Sequence, residues 1–210
     1  MPGRSLRVCA VCALLPLLAA CAQFQIVGTW RNPKVVEHPH FSSVVVLATV
    51  RETTTRRIFE DSFVGLARAR GILATQGYTV VEESQTTTPQ EVEEGVRRSG
   101  AQATIVATVI RKSVTSQTGP TYTVNGPPVW EMGFGGFYAE GWLEWSPSST
   151  TTTMMVQLRL NVYDAASQQL AWSAITNAVS EDKLSTEIDT IAKLFFDALW
   201  SRGIIVPARS

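Results

Sequence analysis

Short apolar runs, separated by segments of helical periodicity, constrain the fold of this chain most strongly. Residues 43–50 and 103–110 are largely apolar, which is typical of strands buried on both faces of a sheet. Between them, residues 56–69 carry apolar side chains at helical spacing, and residues 78–81 form a further apolar run. The order strand, helix, strand, helix, strand predicts parallel pairing through right-handed crossovers.

The second helix of this series has a well-marked start. Thr88 is placed to act as N-cap, Pro89 suits the first helical position, and Glu91 completes a capping box. We expect this helix to end near Gly100, since glycine favours the left-handed conformation found at helix ends.

The last third of the chain predicts an antiparallel hairpin followed by a helix. Residues 154–162 alternate apolar and polar side chains, residues 164–167 suit a turn, and residues 170–179 return. Ser180 is predicted to cap a final helix whose acidic first turn complements the helix dipole. Its inward stripe comprises Leu184, Ile188, Ile191, Phe195 and Leu199.

These segments predict an α/β (α+β) fold with helices packed on a single mixed sheet of about five strands, in the order β-α-β-α-β-β-β-α. The domain would span residues 41–206 and contain one long insertion, residues 116–153. With 210 residues, the chain has room for one such domain.

The insertion is rich in glycine, proline and aromatic residues and has no sustained periodicity. Its aromatic side chains are candidates for contact with a protein partner or with a membrane. The alternative is that the insertion folds back and its rings cover one face of the sheet. The segment is also compatible with an extra hairpin over about residues 138–145. The candidate contact residues are Trp130, Phe134, Phe137, Tyr138, Trp142 and Trp145.

The N-terminus has the three parts of a cleavable signal peptide. Arg4 and Arg7 precede an apolar stretch, residues 8–18, which is too short to span a bilayer as a helix. The sequence Leu-Ala-Ala-Cys that ends at Cys21 resembles the lipobox of bacterial lipoproteins. That resemblance implies cleavage after residue 20, acylation of Cys21 and a lipid-anchored tether over residues 21–40. The alternative is a plain secreted protein with a chance cysteine.

The other cysteines agree with this interpretation. Cys9 and Cys12 lie in the predicted signal peptide, so the mature chain would keep Cys21 alone and could form no internal disulfide. Ala22 follows Cys21, whereas in Gram-negative lipoproteins an Asp there tends to retain the protein in the inner membrane. The resemblance therefore favours the outer membrane, with the domain facing the periplasm.

The remaining sequence offers no catalytic, cofactor or metal motif. His38 and His40 lack nearby carboxylate or cysteine partners and are interpreted as solvated residues. Four acidic pairs are interpreted as surface charge: Glu60–Asp61, Glu82–Glu83, Glu93–Glu94 and Glu181–Asp182. With 18 basic and 18 acidic residues and no basic run, nothing favours nucleic-acid binding.

Two further resemblances concern the domain. The segment Asp164–Trp172 resembles a turn-and-strand motif of small envelope lipoproteins of the DUF4136 family, although Gln168 replaces the usual glycine. The order of elements is similar to that of the N-terminal domain of the Tol system's propeller protein. We expect a non-catalytic lipoprotein that binds an envelope partner; the alternatives are an envelope enzyme and a purely structural lipoprotein. The oligomeric state stays open.

Overall fold

A computed structural model describes residues 24–34, 40–82, 87–114, 133–134 and 153–209. The strands are β1 (Ile26–Arg31), β2 (Ser43–Thr49), β3 (Leu73–Gln76), β4 (Ala103–Val114), β5 (Thr153–Asp164), β6 (Leu170–Thr176) and β7 (Val179–Ser180). The α-helices are α1 (Thr53–Arg68), α2 (Pro89–Ser99), α3 (Asp182–Thr186) and α4 (Ile188–Ser201).

The strands form one mixed sheet in the order β1-β6-β5-β4-β2-β3, with β7 paired to β5. Strand β2 is parallel to both β3 and β4, whereas β4, β5, β6 and β1 pair antiparallel. The predicted fold class is therefore confirmed. Among the described residues the sheet has seven strands rather than about five, because β1 and β7 add to the predicted set.

Helices α1 and α4 cover one face of the sheet and enclose the larger hydrophobic core. Phe63 of α1 and Phe196 of α4 are both fully buried, and their rings meet edge to face with centroids 5.6 Å apart. Trp172 of β6 belongs to the same cluster and is 2% exposed. Each such aromatic contributes roughly 1.5–3 kcal/mol through burial of its apolar surface.

Helix α2 contributes to a second, smaller core on the opposite face, where Val92 and Val96 pack with Val45 and Val106. The predicted capping box at its start is confirmed. Thr88 N donates to Glu91 Oε2 at 2.7 Å, and Glu91 N donates to Thr88 Oγ1 at 3.3 Å. The C-cap is Gly100 in the left-handed conformation, as expected from the sequence.

Helix α1 is capped by an acidic side chain that the sequence pattern did not single out. The Glu52 carboxylate accepts hydrogen bonds from the backbone N–H groups of Thr54 and Thr55. The hydrogen bonds from Thr55, followed by the weaker bond from Thr54, lower the pKa of Glu52 to about 2. The helix thus begins three residues earlier than the apolar spacing indicates, at Thr53 rather than near Arg56.

Two helical glycines give opposite predictions for substitution by alanine. A Cβ at Gly95 would lie 2.3 Å from the carbonyl oxygen of Val80, whereas a Cβ at Gly65 would meet nothing within 4 Å. Gly65→Ala should raise the free energy of unfolding by about 0.5–1 kcal/mol through helix propensity. Gly95→Ala should lower it by about 1–2 kcal/mol, because backbone crowding outweighs that gain. Urea unfolding of both variants tests the pair, and a stabilised Gly95→Ala protein would refute the close packing.

The prediction of a second strand over residues 78–81 is wrong. The edge strand β3 ends at Gln76, and Gly77–Thr79 form a 3-10 helix. The chain leaves the sheet at Gly77 in a very close approach, since a Cβ there would lie 2.7 Å from the carbonyl oxygen of Val46. Residues 78–81, whose side chains favour strands, therefore lie after β3 in the sequence and are not part of it.

The predictions for the final helix and for the tether also need correction. The final helical segment is divided into α3 and α4 at Glu187, and Ser180 belongs to β7 instead of capping a helix. The predicted tether, residues 21–40, contains β1, which pairs antiparallel with β6 at the edge of the sheet. A short strand at an edge has little apolar alternation, so its partner cannot be deduced from its own sequence.

The β5–β6 turn places a residue other than glycine in the left-handed conformation. Asp164 Oδ1 accepts from both the backbone N–H and the hydroxyl of Ser167, each at 2.7 Å. Gln168 then adopts φ 59°, the left-handed conformation that glycine usually supplies. The predicted turn is confirmed, with glutamine taking the unfavourable conformation.

Candidate functional site

The described part of the domain begins three residues after the predicted lipidation site. Phe24 is 3% exposed and belongs to the larger core. Gln25 N donates to Asn177 Oδ1 at 2.7 Å, and Asn177 N donates to the Gln25 carbonyl at 2.9 Å. Cys21 lies outside the described residues, and Ala22 and Gln23 separate it from Phe24. We call the part of the domain formed by residues 24–25 and 177–178 the N-terminal end.

The insertion leaves the sheet at this same end. The described β4–β5 ladder ends with the pair Val114 and Thr153. Along β5, this pair lies two residues beyond Met155, which pairs with Ser180 of β7. Strand β1 starts there too, since Ile26 pairs with Thr176 at the end of β6. The opposite part of the domain, the far end, contains the β5–β6 turn at residues 164–169.

Phe134 is a core residue, which corrects its assignment as a contact residue. It is 1% exposed and packs with Tyr163, the ring centroids being 6.3 Å apart. Tyr163 pairs with Thr104 near the start of β4, about 34 Å along the ladder from Val114 at 3.4 Å per residue. Phe134 therefore packs on the sheet, as the alternative interpretation of the insertion predicts, and is not available for contact with a partner.

The other candidate contact residues lie outside the described residues. They are Trp130, Phe137, Tyr138, Trp142 and Trp145. The hairpin expected over residues 138–145 also lies there.

Near Phe134, the sheet carries buried polar side chains. Asn161 is fully buried; its Nδ2 donates to Tyr163 Oη at 2.9 Å, and its Oδ1 accepts from Ser173 Oγ at 2.7 Å. Thr104 and Thr108 are also buried, and within the described part of the chain their hydroxyls have no hydrogen-bond partner.

Glu60 is a second buried polar group, and its interpretation as surface charge is wrong. It is 1% exposed; Oε1 accepts from Ala48 N and Oε2 from Tyr78 N, both at 3.0 Å. Arg56, also buried, lies one helical turn earlier on α1. The carboxylate therefore joins the end of β2 to the 3-10 helix after β3.

Its neighbour Asp61 remains exposed and makes contacts at the surface. Tyr78 Oη donates to Asp61 Oδ1 at 2.7 Å, and Gln76 Nε2 donates to the same oxygen at 3.0 Å. The hydrogen bond to Asp61 raises the pKa of Tyr78 above its ordinary value. Arg57 lies over the tyrosine ring, 5.2 Å from its centroid. These contacts tie α1 to the segment after β3.

The edge strands carry most of the large apolar side chains that are exposed among the described residues. Val27 and Trp30 of β1 are 61% and 43% exposed, and Leu73 of β3 is 64% exposed. The fourth is Ile58 on α1. An open edge with apolar side chains is a surface that an added strand can pair with. The sequence did not reveal Val27 and Trp30 as candidates, because they lie in the predicted tether.

The described residues provide little that resembles a reactive centre. Within them, no group of three or more His, Cys, Asp or Glu side chains is placed to hold a metal ion. His40 Nδ1 lies 2.6 Å from the Gly203 carbonyl oxygen, so this ring is hydrogen-bonded at the surface rather than simply solvated. His38 lies outside the described residues. No helix in the described ranges is long and apolar enough to cross a membrane.

Comparison with known proteins adds a distant structural likeness. No protein-family model matches the chain, and no curated protein matches it. A variant of PelC from Paraburkholderia phytofirmans, solved as a dodecamer, is similar with 14% identity and a TM-score of 0.43, covering 89% of this chain and all of that one. A second PelC dodecamer gives 15% identity and a TM-score of 0.40, covering 83% and 96%. At these values, we take nothing about function from the likeness.

Proposed function

We propose that this protein is a non-catalytic lipoprotein, anchored through Cys21 in the outer membrane and facing the periplasm, whose domain binds a partner in the cell envelope. The observation that carries the proposal is the Leu-Ala-Ala-Cys sequence behind a short apolar core. The position of Phe24 supports it, because cleavage before Cys21 removes no described part of the fold.

Acylation would supply the whole of the membrane attachment. A single acyl chain holds a protein only marginally, at about 0.8 kcal/mol per buried CH2, whereas two or three chains anchor it stably. Loss of residues 1–20 removes Arg4 and Arg7 and no acid, which leaves 16 basic and 18 acidic residues, a net charge of −2. Such a chain gains little from attraction to anionic lipids.

Replacement of Cys21 by Ser tests the anchor. The variant should move from the membrane fraction to the soluble periplasmic fraction, because serine offers no thiol for the thioether. Cys12→Ser is the matched control and should leave fractionation unchanged, since Cys12 lies in the signal peptide. Mass spectrometry of the N-terminal peptide should show acyl chains on the unsubstituted protein only. A Cys21→Ser protein that stays with the membrane contradicts lipidation as the main attachment.

A separate variant tests the proposed sorting of the protein to the outer membrane. Ala22→Asp should shift the protein to the inner-membrane fraction of a density gradient, if it follows the sorting behaviour of Gram-negative lipoproteins. An unchanged distribution would argue against this route to the outer membrane.

Two sets of apolar residues, each with aromatic members, are candidates for the partner contact. One is the edge of β1, where Val27 and Trp30 are exposed on a strand whose outer side pairs with no other strand among the described residues. The other is the insertion, through Trp130, Trp142 and Trp145. Cross-linking in intact envelopes followed by mass spectrometry should recover one defined partner. Loss of that partner in Trp30→Ala, but not in the triple Ala variant of the insertion, would place the contact on β1; the reverse result would place it on the insertion. Retention of all partners by both variants contradicts an aromatic contact.

A further inference from the structure

We propose that the outer edge of β1 binds the same edge of a second copy of this chain, so that the two sheets join antiparallel across a two-fold axis. The proposal rests on the proposed function, since it names the partner that the domain binds. It does not depend on the lipid anchor, because the residues that carry it belong to the sheet.

The first argument is that the outer edge of β1 has backbone groups to offer. Asn32 N, just after β1, donates to the Ala171 carbonyl of β6 at 3.0 Å. Because inward and outward residues alternate along an antiparallel ladder, the backbone groups of Thr29 and Arg31 point away from β6. Both residues are exposed, and within the described ranges their outward backbone groups have no partner. An added strand can pair with them.

The second argument is that the opposite edge of the sheet, at β3, is occupied. The backbone groups of Ala74 and Gln76 point outward there, but their carbonyls already accept hydrogen bonds. Arg68 Nε donates to the Ala74 carbonyl at 2.9 Å. Thr79 Oγ1 donates to the Gln76 carbonyl at 2.7 Å. Pairing of β1 with β3 would also build an open-ended row of copies, whereas pairing of β1 with β1 closes after two.

The third argument is the register produced by a two-fold axis at Thr29. The two Thr29 residues then form a hydrogen-bonded pair, and Trp30 of each copy lies opposite Gly28 of the other. A glycine within a strand often marks the close approach of another chain, and an aromatic ring across from an edge glycine covers it. Trp30, now 43% exposed, would cover Gly28 and the half-buried Ile175 beside it.

The same register keeps like charges apart. Arg31 is the charged residue of β1, and it would lie beside the apolar Val27 of the second copy. The two arginines are then four residues apart along the pair, about 14 Å, which exceeds the screening length of about 8 Å at physiological ionic strength. Arg31 also bonds within its own domain, since Nη2 donates to the Arg202 carbonyl at 3.4 Å. Charge repulsion therefore does not oppose this pairing.

Disulfide cross-linking of Thr29→Cys tests the pairing. In the proposed register, the two Cα atoms of residue 29 lie about 5.5 Å apart, within the range of a disulfide. Leu73→Cys is the matched control, because Leu73 is 64% exposed on the opposite edge strand. After mild oxidation of intact envelopes, Thr29→Cys should form a dimer of this chain, and Leu73→Cys should remain monomeric. Cross-linking of both variants to the same extent overturns the proposal.

Opposite charges at residue 29 supply a second test. Like charges directly opposite one another destabilise a strand pair. With two differently tagged copies in the same cells, Thr29→Lys in both should reduce their co-purification about fivefold. Thr29→Lys in one copy and Thr29→Glu in the other should restore it. Thr29 is exposed, so neither substitution should disturb the fold.

The outcomes separate this proposal from the proposed function. Restoration by the Lys and Glu pair supports contact between residue 29 of one copy and residue 29 of the other. Equal co-purification of all combinations overturns pairing through β1. Cross-linking of Thr29→Cys to a different protein also overturns it, but leaves a partner on the same edge and the proposed function intact. Membrane fractionation of the same samples reports separately on the lipid anchor.

Discussion

Substitution of Glu60 by Gln should lower the free energy of unfolding by about 2–3 kcal/mol, since it removes one charge-assisted hydrogen bond in a buried site. Both carboxylate oxygens accept backbone hydrogen bonds, from Ala48 and from Tyr78. A glutamine amide can accept only one of them and directs an N–H group at the other donor. The link between the end of β2 and the 3-10 helix would therefore be broken on one side.

The adjacent Asp61 is a well-matched control for this experiment. It accepts side-chain hydrogen bonds but is exposed, so Asp61→Asn should change the free energy of unfolding by less than about 1 kcal/mol. Urea unfolding followed by the fluorescence of the protein's tryptophans, among them buried Trp172, measures both variants. Equal effects of the two substitutions would contradict the buried role of Glu60.

Truncation of Phe134 should be the most damaging change within the insertion. Phe134→Ala should lower the free energy of unfolding by about 3–5 kcal/mol, the range observed when a buried phenylalanine is replaced by alanine. The ring is 1% exposed and meets Tyr163 edge to face, so its removal leaves a cavity in the smaller core. The buried Asn161–Tyr163 hydrogen bond lies beside this cavity.

Trp30→Ala provides the comparison for Phe134→Ala, because Trp30 is a large aromatic that is 43% exposed. Its loss should cost much less stability, since less apolar area leaves the protein interior. If Phe134→Ala unfolds at the same urea concentration as the unsubstituted chain, the insertion does not contribute to the core.

The elements with strong local signals could be predicted from the sequence. The capping box at Thr88 and Glu91 determines the start of α2 through contacts within one helical turn. The alternation along β5 likewise identifies a strand with one face buried in the larger core. In each case, the residues that form the structure are neighbours along the chain.

The features that sequence reasoning missed depend on contacts between distant residues. Strand β1 is defined by its pairing with β6, and nothing in its own six residues indicates that partner. Glu60 has an acidic neighbour and a helical setting, which favour a surface position. Its burial follows only from where Ala48 and Tyr78 are placed by the rest of the fold.

If the chain is exported as proposed, the distance along the sequence between β1 and its partner β6 has a consequence for folding. Ile26 pairs with Thr176, and Phe41 forms a bridge with Ile205, so both ends of the chain are needed to complete the fold. A chain that crosses a membrane with its N-terminus first would hold β1 unpaired until β6 had emerged. Pairings between such distant residues form slowly. Strand β1 and the bridge at Phe41 would therefore be completed only after β6 and residue 205 have emerged, although both involve the first elements of the domain.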